Sequence, residues 1–478
     1  MLFRSDRAST LTSEKLREIG KALPDSPSDL RNKMKEMEQI AFDPANAAAA
    51  LAQLPRAAAV FSLYGAEAHA EPYIGRTPNL RGRLERLLQP SAKHPRRLQL
   101  AGRVRRIAWR LTGSEFESLL TQFSLLEEVF GPKVLDRMHL RAPAFVRYLG
   151  GNPYPRITVT NKPSQREAEW AYGPFPSRTA AERYAEEALK LFLLRRCTDD
   201  LNPDPSHPGC VYSEMKMCLA PCYKGCTDER YAEEALGVES FLATRGESKL
   251  VVLRGERDQA SADLEFESAA ALHAQVQKVE SVRALASELV RPLSELRAVI
   301  LQASPNQDEV AVFAFDEQRL RGPVGLSTLG MRIQNEQSGS SSLFAQPMAI
   351  EPVLEEQRNS HPSDQRPFAG ATGRDQGSVI SAAEAAGAAT PPIQARPARA
   401  ALKERMETLL TELMLPTGLP HAVVRQGHMA LLKRWYYRPE TRRVGEIFFP
   451  DTDGKWPVSA ILRGVGRVAG KMLVEHRA

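Results

Sequence analysis

The spacing of hydrophobic and polar positions along this chain changes several times, and each change marks an element. A short β-prone run over Ala57–Tyr64, turn-like residues Gly65–Glu71 and a second run over Pro72–Gly75 predict a hairpin, after which Asn79 caps a helix carrying Arg81, Arg83 and Arg86. Val104–Leu111 alternates as a third strand. Glu115–Phe130 then places Phe116, Leu119, Leu120, Phe123 and Leu126 at helical intervals. Upstream, Leu16, Ile19, Leu23, Leu30, Met34 and Met37 space residues Thr12–Ile40 as one or two amphipathic helices broken at Pro24 and Pro27. Downstream, Tyr172–Ser177 forms a Gly-Pro-Phe-Pro turn before an amphipathic helix that ends near Leu191–Cys197, and Tyr231–Arg283 reads as one helix leading into a helical hairpin. A strand pair follows at Val310–Phe315 and Leu320–Leu326. The last unit has a helix to Leu413, a second containing Leu431–Arg438, and a strand at Ile447–Phe449.

These elements predict an α+β protein of several domains, since 478 residues exceed what one core usually serves. The predicted units are an N-terminal helical segment (1–50), a small mixed α/β domain (51–140), a cysteine-rich module (141–230), a helical hairpin (231–290), a strand-rich segment (291–335) and a C-terminal α+β unit (400–478). Between the last two, residues 336–399 are rich in Ser, Gln, Pro, Gly and Ala, bury too little apolar area to fold, and are predicted to form a disordered linker. No apolar run approaches a membrane span and Met1–Asp6 lacks an apolar signal core, so a cytoplasmic location without membrane contact is expected.

Charge sharpens the picture locally more than globally. The net charge of +6 is modest, but from Arg76 to Arg110 the basic residues are opposed only by Glu85. Such one-sidedness favours a phosphate-binding face over an ordinary solvated helix surface, because neutralising backbone phosphates releases counterions. Arg81, Arg86, Arg96, Arg97, Arg105 and Arg106 are the candidate DNA contacts. Charge alone leaves RNA open as the partner.

All five cysteines fall between Cys197 and Cys226. Cys197, Cys210, Cys218 and Cys222 are spaced C-x12-C-x7-C-x3-C, and a cytosolic cluster of thiols favours a metal centre over disulfides. Thiolates suit zinc or an iron–sulfur cluster, and the spacing does not choose between them. Cys226 is a spare thiol or alternative ligand.

The run Tyr73-Ile74-Gly75-Arg76-Thr77-Pro78-Asn79-Leu80-Arg81-Gly82-Arg83 resembles the second half of the GIY-YIG nuclease motif, as it occurs at the N-terminus of the UvrC family of bacterial nucleotide-excision repair. The resemblance implies metal-dependent phosphodiester incision: Tyr73 orients or activates water, and Arg76 and Arg83 hold the phosphate. It also exposes departures. Phe61 stands where the first motif has its tyrosine, and Gln122 where a glutamate holds the single divalent metal. Arg76 replaces a lysine, and Pro132–Leu135 lacks the asparagine that usually ends this segment. Mg2+ is therefore implied only if the site is active, with Glu117, Glu127 or Glu128 as displaced ligands; as surface helix carboxylates they would have no such role.

Tyr172–Cys222 is similar to the cysteine-rich module that follows the nuclease domain in UvrC, which implies a [4Fe-4S] cluster, zinc being the alternative. Asp263–Val276 resembles the UVR motif, through which that family docks on UvrB; its apolar stripe is Leu264, Phe266, Ala269, Ala270, Leu272 and Val276. His273 and Ala274 stand where an arginine and an aspartate are usual. Gly464–Lys471 resembles the turn of a helix-hairpin-helix element, although a plain C-terminal helix containing glycines fits it better. No counterpart of the carboxylate-rich RNase H-like nuclease of the UvrC C-terminal half is found. The expectation is a UvrC-like DNA-binding protein with a GIY-YIG fold whose incision activity is weak or lost; the alternative is a non-catalytic adaptor or competitor that binds DNA and a UvrB-like partner.

Overall fold

The computed structural model describes residues 37–67, 70–89, 100–198, 201–328 and 395–477. The predicted helices before residue 37 and the linker up to residue 394 lie outside the described residues. The fold is α+β, as expected, and the described residues form three four-stranded antiparallel sheets.

The first sheet has the order β1-β4-β2-β3, with β1 Glu38–Ala41, β2 Ala59–Tyr64, β3 Tyr73–Thr77 and β4 Arg106–Leu111. Helix α1 (Ala47–Ala52) and helix α2 (Leu80–Leu88) are covered on one face by its apolar residues: Leu80, Leu84 and Leu88, one turn apart, pack with Phe61, Leu63, Ile107 and Trp109. Strand β1 corrects the reading of residues up to Ile40 as helix, because Gln39 and Ile40 pair with Ala108 and Ile107 at the sheet edge.

Helix α3 runs Glu115–Phe130, with Ser114 as N-cap accepting from Glu117 N at 3.1 Å. The second sheet, β6-β5-β7-β8, holds β5 Ala144–Tyr148, β6 Ile157–Thr160, β7 Ala171–Phe175 and β8 Arg291–Pro292. Helices α4 (Arg178–Leu189), α5 (Asp228–Ala243), α6 (Glu247–Ala262) and α7 (Phe266–Arg283) complete that lobe. The residues expected to form a Gly-Pro-Phe-Pro turn, Tyr172–Phe175, are instead a fully buried strand. Glycine fits there because Phe145 and the Ala144 carbonyl lie directly against position 173.

The third sheet is a Greek key: β9 Ala298–Ala303, β10 Glu309–Asp316 and β11 Arg319–Ser327 are consecutive, and β12 Glu446–Phe448 returns beside β9. Both faces are covered, which explains the nearly unbroken apolar run of β9 and β10. Val299, Leu301, Val310, Val312 and Ala314 face helices α8 (Ala395–Leu413) and α10 (Val458–Arg477). Ala298, Ile300, Ala311, Phe313 and Phe315 face α3 and helix α9 (Ala422–Tyr436). Thus the apolar stripe of α3 serves a core shared with the C-terminal unit: the Phe116 ring lies 5.2 Å from Phe313 and 5.3 Å from Trp435. Gly427 of α9 lies flush on Phe123, where any Cβ would clash with the ring. Helix α8 begins five residues before the predicted unit, inside the expected linker. Gly464, Gly466 and Gly470 sit within the continuous helix α10, so the helix-hairpin-helix likeness does not hold.

Candidate functional site

Strand register decides what the motif residues can do. Phe61 pairs with Gly75 across β2 and β3, and its ring fills the space a side chain would need, since a Cβ at position 75 would lie 2.8 Å from Phe61 Cζ. Phe61 is 1% exposed; Tyr73 beside it, 6.1 Å between rings, is 39% exposed. Arg76 follows Gly75 and so projects from the opposite face of the sheet. There it donates to Glu115 Oε1 of α3 at 3.4 Å. Gln122, also on α3, is half-buried. Arg83 on α2 has no hydrogen-bond or ion-pair partner for its guanidinium among the described residues. The predicted constellation is therefore divided: Phe61 and Tyr73 share one face, Arg76 lies on the other, and the position of the metal carboxylate is an amide.

The helix that carries Arg83 is fixed by the motif itself. Asn79 accepts from Gly82 N at 3.0 Å and its own backbone N–H donates to Thr77 Oγ1 at 3.2 Å. Around it the basic residues differ in freedom. Arg81 is half-buried and donates to the Leu54 carbonyl at 2.6 Å, which makes it a strut between α2 and the loop after α1. Arg86 donates to Gly82 O, Arg105 to Gly102 O and Val104 O, and Arg106 to Gln39 Oε1 while stacking 4.0 Å over Tyr64. All three remain exposed and without carboxylate partners among the described residues. Arg96 and Arg97 lie outside the described residues.

The two glutamates at the start of α3 behave oppositely. Glu115 accepts two hydrogen bonds from Arg438, both 2.8 Å, and these, with Arg76 and Arg434 nearby, hold its carboxyl at about 2. Glu117 is not the surface carboxylate expected: it is 3% exposed, accepts from Gly113 N at 2.8 Å, and burial pushes it up to about 7 against the pull of Gly113 and Arg110. Sequence reasoning missed Glu115. Its signal was the first-turn position opposite a basic strand, which became readable only with the distant Arg438 in place. Glu128 is exposed and Glu127 half-buried.

In the cysteine-rich module every one of the four expected sulfurs accepts an N–H. Arg195 Nη1 donates to Cys197 Sγ at 3.5 Å, Ser213 N to Cys210, Ala220 N to Cys218 and Tyr223 N to Cys222. Burial pushes the Cys218 and Cys222 thiols up, and the neighbouring cysteines push them further, so the thiols share one electrostatic environment. Such N–H donors are what a thiolate-bound centre requires, and the donor set fits zinc or an iron–sulfur cluster. Among the described residues, however, no three His, Cys, Asp or Glu side chains converge as a metal-binding group. Cys226 is also pushed up by burial, then by Asp228, and none of the other four influences it.

Helices α6 and α7 form the expected hairpin, but the proposed docking stripe divides. Leu264 and Phe266 at its tip are 71% and 67% exposed. Val276 is buried, and Leu272 half-buried, against the core of the protein's own second lobe. Ala269 is half-buried and Ala270 exposed. Val251 and Val252 add to the exposed apolar surface of α6. Among the described residues no helix is long and apolar enough to cross a membrane.

Comparison with known proteins places this architecture. Residues 145–241 match the family model for the UvrC/Cho excinuclease middle domain. UvrABC system protein C of Alcanivorax borkumensis is 29% identical over 211 residues, covering 44% of this chain and 34% of the relative. The Pseudomonas aeruginosa protein of the same name is 29% identical over 231 residues (48% and 38%), and that of Haemophilus ducreyi 29% over 241 residues (50% and 38%). The aligned part thus spans little more than a third of the length of these curated relatives. No solved structure matches the chain. With the middle-domain match and these relatives spanning about half of its length, the chain is a UvrC-like protein.

Proposed function

We propose that this chain is a DNA-binding protein of nucleotide-excision repair that keeps the GIY-YIG scaffold and has little or no incision activity. The carrying observation is the division of the motif residues. Phe61 is a buried hydrocarbon ring where a hydroxyl is needed, Gln122 offers a neutral amide in place of a metal carboxylate, and Arg76 is bound to Glu115 on the opposite face from Tyr73. Each lost transition-state interaction typically removes orders of magnitude in rate. What remains is binding: the exposed Arg86, Arg105 and Arg106, with the half-buried Arg83, offer a cationic surface suited to a phosphate backbone.

Partner docking is the second half of this reading. Leu264 and Phe266 stand exposed at a hairpin tip with polar neighbours, a geometry that supports a helical UvrB-like partner. The four N–H-supported sulfurs of Cys197, Cys210, Cys218 and Cys222 would hold a [4Fe-4S] cluster or zinc, which cross-links the loop between α4 and α5 when bound.

The test is a nicking assay on lesion-containing duplex with magnesium and a UvrB-like protein. Intact DNA that nevertheless shifts in a binding assay is expected. Robust nicking that disappears in Tyr73→Phe or Gln122→Ala would overturn the non-cutting reading.

A further inference from the structure

Three arginines from two distant parts of the chain surround one exposed carboxylate. Arg76 comes from β3, and Arg434 and Arg438 from the last turn of α9 and the residues just after it. Glu115 lies between them, with Arg438 gripping both of its oxygens at 2.8 Å and Arg76 reaching Oε1 at 3.4 Å. The side chains are 44% (Glu115), 35% (Arg76) and 26% (Arg438) exposed, so solvent reaches the cluster. Arg434 is exposed and makes no hydrogen bond or ion pair among the described residues. Three positive charges face one negative charge, which leaves an excess of cation at the surface.

We propose that Arg76, Arg434 and Arg438 form a composite binding site for a phosphate of the duplex DNA backbone, in which Glu115 occupies the phosphate position until DNA displaces it. The chemistry is matched: a guanidinium that binds a carboxylate through two parallel N–H···O bonds binds phosphate oxygens in the same fork geometry. Displacement is an exchange of anions: the phosphate takes over the charge-assisted bonds that Glu115 gives up, so no guanidinium is left unpaired. The released Glu115 stays in the first turn of α3, where the helix dipole still favours a negative charge. The C-terminal unit thereby becomes part of the DNA-contacting surface. The inference rests on the DNA-binding reading above and goes beyond it, since that reading draws on residues 83–106 alone.

The experiment uses the full chain and a fluorescently labelled duplex of about 30 base pairs, titrated across a salt series. Arg434→Gln is expected to weaken binding several-fold and to lower the slope of log K against log salt by about 0.9, the value for one lost phosphate contact. Arg257→Gln, which removes the same charge from the remote helix α6, should leave both unchanged. Glu115→Gln is expected to tighten binding several-fold, because the competing anion is gone, with the thermal midpoint little altered. Unchanged salt slopes in Arg434→Gln and Arg438→Gln, equal losses in Arg257→Gln, or weaker binding by Glu115→Gln would each overturn the composite site. A wild-type chain with no duplex affinity sinks the DNA-binding reading itself, whereas wild-type binding with unaltered variants sinks only this inference.

Discussion

Replacing Glu117 with glutamine should stabilise the protein at neutral pH. The carboxyl is enclosed between the first sheet and the shared core, 3% exposed, and burial moves it from 4.5 to about 7. An acid raised in the folded state binds more protons there than in the unfolded chain between those two values, so stability falls as pH rises from about 4.5 to 7 and stays low above. At ~1.4 kcal/mol per pH decade the loss is about 3 kcal/mol, Arg110 already being included as a partial offset. Glutamine has the same shape and keeps an oxygen to accept the Gly113 N–H, and it carries no charge to desolvate. Urea denaturation at pH 5, 6, 7 and 8 should therefore show a wild-type midpoint that declines with pH, and a Glu117→Gln midpoint that is flatter and higher at pH 8. A variant less stable than wild type at pH 8 would refute the reasoning, because it would mean that the charged carboxylate, through Arg110, stabilises the fold more than its burial costs.

Further measurements address other parts of the chain. Phe116→Ala should cost about 3–5 kcal/mol, as for a large buried aromatic, and hydrogen exchange should speed up in both α3 and β10, since the ring touches Phe313 and Trp435; loss confined to α3 would contradict a shared core. Protein purified anaerobically should contain iron and sulfide, with Cys218→Ser lowering metal content, while stoichiometric zinc without colour would assign the structural-metal alternative. Phe266→Asp should reduce capture of a UvrB-like C-terminal peptide about tenfold or more without changing the thermal midpoint, whereas Val276→Asp should destabilise the second lobe; equal destabilisation by both would mean that the tip is part of the core.

The sequence carried much of this at the level of elements. The bounds of α3, read from the spacing of Phe116, Leu119, Leu120, Phe123 and Leu126, agree with the structure residue for residue. What that helix packs against did not follow, because periodicity reports that a face is apolar and not which of two sheets covers it. Glu117 illustrates the same limit: a charged residue on the edge of an apolar stripe is buried only because a second layer, from residues more than 180 positions later, closes over it. At Tyr172–Phe175 the local signal was misleading, since Gly-Pro favours a turn while the packing of Phe145 demands a strand with no side chain at position 173. The docking stripe was read as continuous because helical spacing groups Leu264 with Val276, yet the hairpin leans on its own lobe and conceals one end. Within the candidate site, the residue types at positions 61, 73 and 122 were legible. The face each one occupies depended on the register of β2 against β3.

The shared core also sets the order in which the molecule can be completed. Glu115 and Arg438 are 323 residues apart, and Phe116 finds Trp435 over nearly the same distance. At ~5–20 residues per second, synthesis of the intervening chain takes roughly 15–65 seconds. During that interval the first sheet can form from local hairpins, while the apolar side of α3 has no partner. Closure of the Greek key waits as well, because β12 must reach β9 from 143 residues downstream. High contact order of this kind slows folding and prolongs exposure of sticky surface. The apolar face of α3 is therefore covered only when the C-terminal helices arrive, and chains truncated before α9 should expose it instead of yielding a free-standing, well-packed N-terminal domain.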